Sequence, residues 1–182
     1  INDKVVEASV RLKRSQVLIV TFGTAYVYEY KKTQSVVSNC HKLPAADFNR
    51  RLMSIDEIVG LWKNIILELQ DINPNLKIVF TVSPIRHLAD GAHANQVSKS
   101  ILLLAVEQLS NIYDDVIYFP AYEIMMDDLR DYRFYASDMT HPSDVAVDYI
   151  YKIFSQSFFS EETNNLVHEC EKLTRRLKHR HM

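Results

Sequence analysis

Gln16-Val17-Leu18-Ile19-Val20-Thr21-Phe22-Gly23 is the stretch whose reading decides the fold. It is a nearly continuous aliphatic and β-branched run, bounded by a glycine and too short to be a helix. Such a run reads as a strand buried on both faces, as in a parallel sheet covered by helices. Gly23-Thr24-Ala25 then turns the chain at the strand's carboxyl end. Two further runs of the same kind follow: Lys77 to Val82, ending at Ser83-Pro84, and Val116 to Phe119, ending at Pro120. Helical patterns lie between and around them. Ser54-Ile55-Asp56-Glu57 has capping-box spacing, and Ile55, Ile58, Val59, Trp62, Ile65, Ile66 and Leu69 follow it at helical period. The spacing predicts further helices from about Asn95 to Ile112, with Val97, Ile101, Leu104, Ala105 and Leu109 on one face, and from Pro142 to Phe159. Val5 to Arg14 reads as a short amphipathic helix, and Ser160 as the cap of a last one whose apolar face is Leu166, Val167, Cys170, Leu173 and Leu177. Alternation of helix and strand is βαβ grammar, so an α/β fold with a parallel sheet and right-handed crossovers is expected.

Composition narrows the class. The chain has 182 residues, 47% of them hydrophobic and 24% charged, with only 3 glycines and 5 prolines. That fits a single compact α/β domain over residues 1–182, with 160–182 as an appended C-terminal helix, and it leaves no room for long disordered linkers. Net charge is −2, and the basic run from Arg175 to His181 reads as a solvated helix end rather than a nucleic-acid contact. No apolar run approaches the roughly 18 to 20 residues needed to cross a bilayer. Cys40 and Cys170 form no CxxC pair, which suits a reducing, cytoplasmic compartment. The first residue is Ile1, so the chain is expected to be part of something longer. Tyr26 to Asn49 shows no sustained period and reads as a long irregular connection.

In sheets of this kind ligands bind outside the carboxyl ends of the strands. Gly23 to Tyr28, Ser83 to Asp90, Pro120 to Glu123 and Asp138 to His141 are therefore expected to line one edge. Asp138 and His141 lie three residues apart in a loop that runs into a helix. From there the carboxylate can hold the imidazole in one tautomer while its other nitrogen takes a proton from a hydroxyl nucleophile. The structural alternative makes Asp138 a turn residue and His141-Pro142 a helix start. Arg86, His87 and Asn39 are candidates for the pocket wall. Ser83, at a strand end, is an internal candidate for the nucleophile, although Ser-Pro is also ordinary turn chemistry. Cys40 with His41 resembles a thiol-imidazole pair, and Cys40, His41, His87, His93 and Asp90 could be gathered as metal ligands, though without any ligand spacing such as HExxH. No cofactor is indicated. Asp127, Asp128 and Asp131 read as a solvated acidic loop. Tyr26, Tyr28 and Tyr30, with Tyr132, Phe134 and Tyr135, are either packed feet of loops or surfaces for a sugar ring.

Several of these segments together resemble one family. Thr21-Phe22-Gly23-Thr24-Ala25, Val37 to Pro44, Ser83-Pro84-Ile85-Arg86-His87 with Asp90-Gly91, and the block from Tyr118 through Tyr135 to Asp138 and His141 are similar to the GSCFA domain family, a relative of the SGNH or GDSL-like hydrolases. The resemblance implies a three-layer α/β/α fold with a flavodoxin-like parallel sheet, and ester hydrolysis or acyl transfer, often on carbohydrate. It assigns the catalytic acid and base of the final Asp-x-x-His block to Asp138 and His141. Gly23 and Ala25 fall where such relatives carry a Gly-x-Asn oxyanion block, and Ala25 has no side-chain donor, a loss typically worth about two to three orders of magnitude in rate. Asn39 is the substitute donor in this reading. The family's Gly-Ser-Cys-Phe-Ala segment, which bears the nucleophile, does not occur between Ile1 and Met182. The resemblance thus implies a C-terminal part of a larger domain that is inactive by itself, incomplete at its N-terminal side and able to self-associate along an uncovered sheet edge. Its substrate would be a small-molecule or glycan ester. The rival readings are a non-catalytic carbohydrate- or protein-binding module on the same fold, and a metal-dependent hydrolase using His41, His87 and His93.

Overall fold

A computed structural model describes residues 2–40 and 42–179. The chain falls into two compact units, one running to Glu123 and the other starting at Ile124.

The first unit contains α1 (Asn2–Leu12), β1 (Val17–Phe22), β2 (Tyr26–Tyr30), β3 (Ser35–Val37), β4 (Phe48–Leu52), α2 (Ile55–Ile72), β5 (Lys77–Val82), α3 (Gly91–Ile112), β6 (Val116–Phe119) and a single helical turn, α4 (Ala121–Glu123). Its main sheet is parallel and three-stranded in the order β1-β5-β6, with Val20 opposite Phe80 and Phe80 opposite Tyr118. This is the expected α/β architecture of a parallel sheet flanked by helices. Residues alternate across a strand, so Val20, Phe22, Ile78, Phe80, Val82, Val116 and Tyr118 share one face. They form one cluster with Ile58, Val59 and Ile66 of α2 and Leu102, Ala105, Val106 and Leu109 of α3. Phe22 stacks on Phe80 with ring centroids 5.3 Å apart, and Trp62 meets Phe80 edge-on at 4.7 Å. The capping box that opens α2 is present: Glu57 N donates to Ser54 Oγ at 3.2 Å and Ser54 N to Glu57 Oε2 at 2.8 Å.

Three expectations are corrected. β1 is an edge strand, not one buried on both faces: Val17 and Ile19, on the face away from Phe80, are 47% and 51% exposed. The segment read as irregular folds into a second, antiparallel sheet in the order β3-β2-β4, with Tyr28 opposite both Val37 and Arg50. Its strands are short and its faces half-exposed, which blurs their period, although Tyr26, Tyr28 and Tyr30 do alternate. Finally, α3 starts at Gly91 and buries Asn95, Ser98, Lys99, Leu102, Ala105, Val106 and Leu109, so its inward face is rotated from the expected one and Leu104 is exposed.

The second unit opens with a π-helical turn (Ile124–Asp128) and a 3-10 turn (Tyr132–Phe134), followed by α5 (Asp144–Phe158) and α6 (Glu161–His179). Met125, Leu129, Tyr135 and Ala146 form its buried cluster, with Phe134 and Ile150 against them. Ser143 caps α5 and Ser160 caps α6, each hydroxyl accepting from an amide in the first turn.

Candidate functional site

The Asp138–His141 loop is built from local bonds. Tyr135 and Pro142 form an isolated antiparallel bridge, Ala136 N donates to His141 O at 2.7 Å, and Ser143 N donates to Phe134 O at 2.7 Å. The loop is thereby pinched at its base directly before the Ser143 cap. Its tip turns through Met139, whose φ of 60° lies in the left-handed region. That turn brings two successive amides under the Asp138 carboxylate. Oδ1 accepts from Thr140 N and from His141 N, both at 2.9 Å, while Oδ2 lies 2.5 Å from His141 Nδ1. The backbone amides of His141 and Thr140, and then the imidazole, hold the Asp138 carboxyl well below the usual carboxylate range. An ionised carboxylate only accepts hydrogen bonds, so Nδ1 is a protonated nitrogen, and in the neutral ring Nε2 is the one that carries the lone pair. Thr140 Oγ1 also lies 3.2 Å from Nδ1. Both side chains are more than half open to solvent or close to it, at 58% for His141 and 50% for Asp138. A neutral imidazole with one nitrogen fixed by a carboxylate and the other accessible is a competent proton acceptor.

On the first unit, the carboxyl ends of β1 and β5 are stitched together by α3. Lys99 is only 1% exposed, and its ammonium donates to Gly23 O and to Ser83 O at 2.6 Å each. Burial pushes this lysine down to about 8. One residue earlier on the helix, Ser98 Oγ accepts from Ala25 N at 2.8 Å and lies 3.0 Å from Thr24 Oγ1. A turn before that, Asn95 Oδ1 accepts from His87 N at 2.8 Å. His87 lies against the turn that follows β1, so that a Cβ placed on Gly23 would lie 3.4 Å from His87 Nε2. Arg50 of β4 pairs with Asp90 and stacks over Tyr26 at 4.1 Å, which draws the second sheet onto the loop after β5. Asp90 consequently does not cap α3 with its side chain.

Of the residues singled out in the sequence, Gly23 and His87 are brought together here. Ala25 lies in the core, 2% exposed, with its amide held by Ser98 and its carbonyl accepting from Met53 N. Arg86 is half-buried beside His87, Asn39 is exposed after β3, and Cys40 is half-buried. His41 lies outside the described residues. Ser83 Oγ accepts from Ile85 N at 3.2 Å, the turn chemistry of a Ser-Pro step. Among the described residues no group of three or more His, Cys, Asp or Glu is placed to hold a metal ion. The acidic loop has its own partners: Asp127 pairs with Arg130, Asp131 accepts from Arg133 N, and Asp128 accepts from Tyr149 OH.

Sequence reasoning overlooked Asn95, Ser98 and Lys99. A signal for them was present, because they extend the buried stripe Leu102, Ala105, Val106 and Leu109 toward the helix start at intervals of three and four. Polar residues in register with an apolar stripe mark where a helix meets loop backbone rather than strand side chains. No helix of the described residues is long and apolar enough to cross a membrane. The model of the GSCFA family matches residues 1–154, a span that holds both the stitched strand ends and the Asp138–His141 loop. No curated protein matches the chain.

Proposed function

Because the chain belongs to the GSCFA family, we propose that it supplies the acid and base of an SGNH-like esterase or acyltransferase that acts on an acyl ester of a small molecule or glycan. The observation that carries this reading is the Asp138–His141 pair, with Oδ2 2.5 Å from Nδ1 and the carboxylate anchored by two amides. In the proposed reaction His141 Nε2 takes the hydroxyl proton of a serine as its oxygen attacks the ester carbonyl. Asp138 stabilises the imidazolium that forms. The same proton then passes to the departing alkoxide, leaving an acyl-serine. Water or an acceptor hydroxyl repeats the sequence and releases the acyl group. Residues 1–182 contain no Gly-Ser segment, so the serine in this reading lies outside them. Gly23, Arg86 and His87 are the proposed substrate contacts of the first unit, and Asn39 replaces the donor that Ala25 lacks.

A second reading, a non-catalytic carbohydrate- or protein-binding module, draws on Ala25. It has no polar side chain, and its amide is already engaged by Ser98. Fluorophosphonate labelling followed by intact mass separates the two, applied to residues 1–182 and to the same chain extended upstream through its native sequence. A serine hydrolase labels only in the extended form and loses the label in His141→Ala. Absence of label on both forms retires the catalytic role of Asp138 and His141.

A further inference from the structure

The helix α6 lies beyond the family match and has a face that no described residue of its own unit covers. Its start is tied down: Asn164 Nδ2 donates to Ser155 O and Phe159 O at 3.4 Å each. Past that point Leu166, Leu173 and Leu177 are 60%, 57% and 60% exposed, and Cys170 between them is also exposed. Leu166, Cys170, Leu173 and Leu177 are spaced by four, three and four residues, the seam of a two-stranded coiled coil. A stripe of this kind in water calls for a partner helix, and the charges beside it identify which one.

Beside the seam, Glu169 and Arg176 flank one side, and Val167 and Thr174 flank the other. Glu171, on the outer face, is engaged by His168 and Arg175, whereas Glu169 and Arg176 make no ion pair with any described residue. Two copies of α6 placed antiparallel set Leu166 against Leu177 of the second copy and Cys170 against Leu173. In that register Glu169 faces Arg176 of the second copy, twice by symmetry, and Val167 meets Thr174 on the other flank. A parallel pair offers Glu169 only Thr174. It also stacks the acidic start of the helix (Glu161, Glu162) on itself and the basic end (Arg175, Arg176) on itself. We propose that α6 pairs antiparallel with α6 of a second copy of this chain, in a two-fold symmetric contact.

Sedimentation equilibrium on the full chain at about 100 µM, a concentration suited to a short coiled coil, tests this. The wild type is expected at roughly twice the chain mass. Leu173→Glu is expected at the chain mass and still folded, as a retained circular dichroism spectrum shows, because that side chain is exposed in the single chain. Glu169→Arg alone and Arg176→Glu alone are each expected to be monomeric, since each sets like charges against one another. Mixing these two variants in equal amounts restores the dimer, because each then meets the opposite charge. A monomeric wild type overturns the proposal. So does a dimer that survives Leu173→Glu, which belongs to another surface such as the β1 edge, or a mixture that stays monomeric, which rules out the antiparallel register.

Discussion

Asp138 is fixed by backbone before it is fixed by the imidazole: two amides hold Oδ1, and Oδ2 remains for His141 Nδ1. In Asp138→Asn the amide oxygen keeps the backbone contacts, but the side-chain NH2 meets Nδ1 and forces the proton onto Nε2. The fold is then expected to be retained, with a melting temperature no higher than that of the wild type, because the carboxylate's charge-assisted bonds are lost. The rate of fluorophosphonate labelling of the upstream-extended chain is expected to fall about 10³-fold or more, the scale of carboxylate-to-amide changes in serine hydrolase triads. A labelling rate equal to the wild type would remove Asp138 from the mechanism. At Met139 the left-handed φ of 60° sets a second expectation. Met139→Val, which is β-branched, should cost about 1–2 kcal/mol in chemical denaturation, and an unchanged midpoint would mean that the loop relaxes freely. This part of the site was legible in the sequence, because every partner of Asp138 lies within three residues of it.

Among the elements, α3 carries the largest departure from the sequence reading. Its inward stripe continues from Leu109 down to Asn95, and its polar part ends on the carbonyls of Gly23 and Ser83. Lys99 has a pKa lowered to about 8 by burial, against about 10.4 in an unfolded chain. Between those two values the native state binds fewer protons than the unfolded state, so stability rises with pH in that window. The relative stabilisation is complete above about pH 10.4 and is lost as pH falls through 8, with no slope from this residue below about pH 7. Chemical denaturation of wild type and Lys99→Met from pH 7 to 10 should give curves that diverge above pH 8, in favour of the wild type, by up to about 3 kcal/mol. Parallel curves would mean that Lys99 titrates as an exposed lysine. The antiparallel strands β2, β3 and β4 escaped the sequence reading for a related reason. A short strand with a half-exposed face shows its period only once its partners are known.

In the molecule as a whole, strand order decides what each apolar residue is worth. β1 and β5 read alike as sequences, yet among the described residues β5 lies between two strands and β1 has one neighbour. Phe80→Ala, at 0% exposure, is expected to cost about 3–5 kcal/mol. Ile19→Thr, on the open face of the edge strand, should shift stability by less than about 1 kcal/mol. Equal losses in denaturant titrations would place a cover over that face. By itself the sequence determined the helices and parallel-sheet strands, the α2 capping box and the Asp138–His141 pair, because each rests on contacts within a few residues or on a period that one segment displays alone. The tertiary structure decided which strand is the edge and which face of α3 turns inward. It also decided that a lysine 76 residues after Gly23 and 16 after Ser83 joins their two carbonyls. A period tells a helix that it has an inward face, but what lies against that face is set by pairings across long stretches of chain, and those appear only when the sheet is assembled.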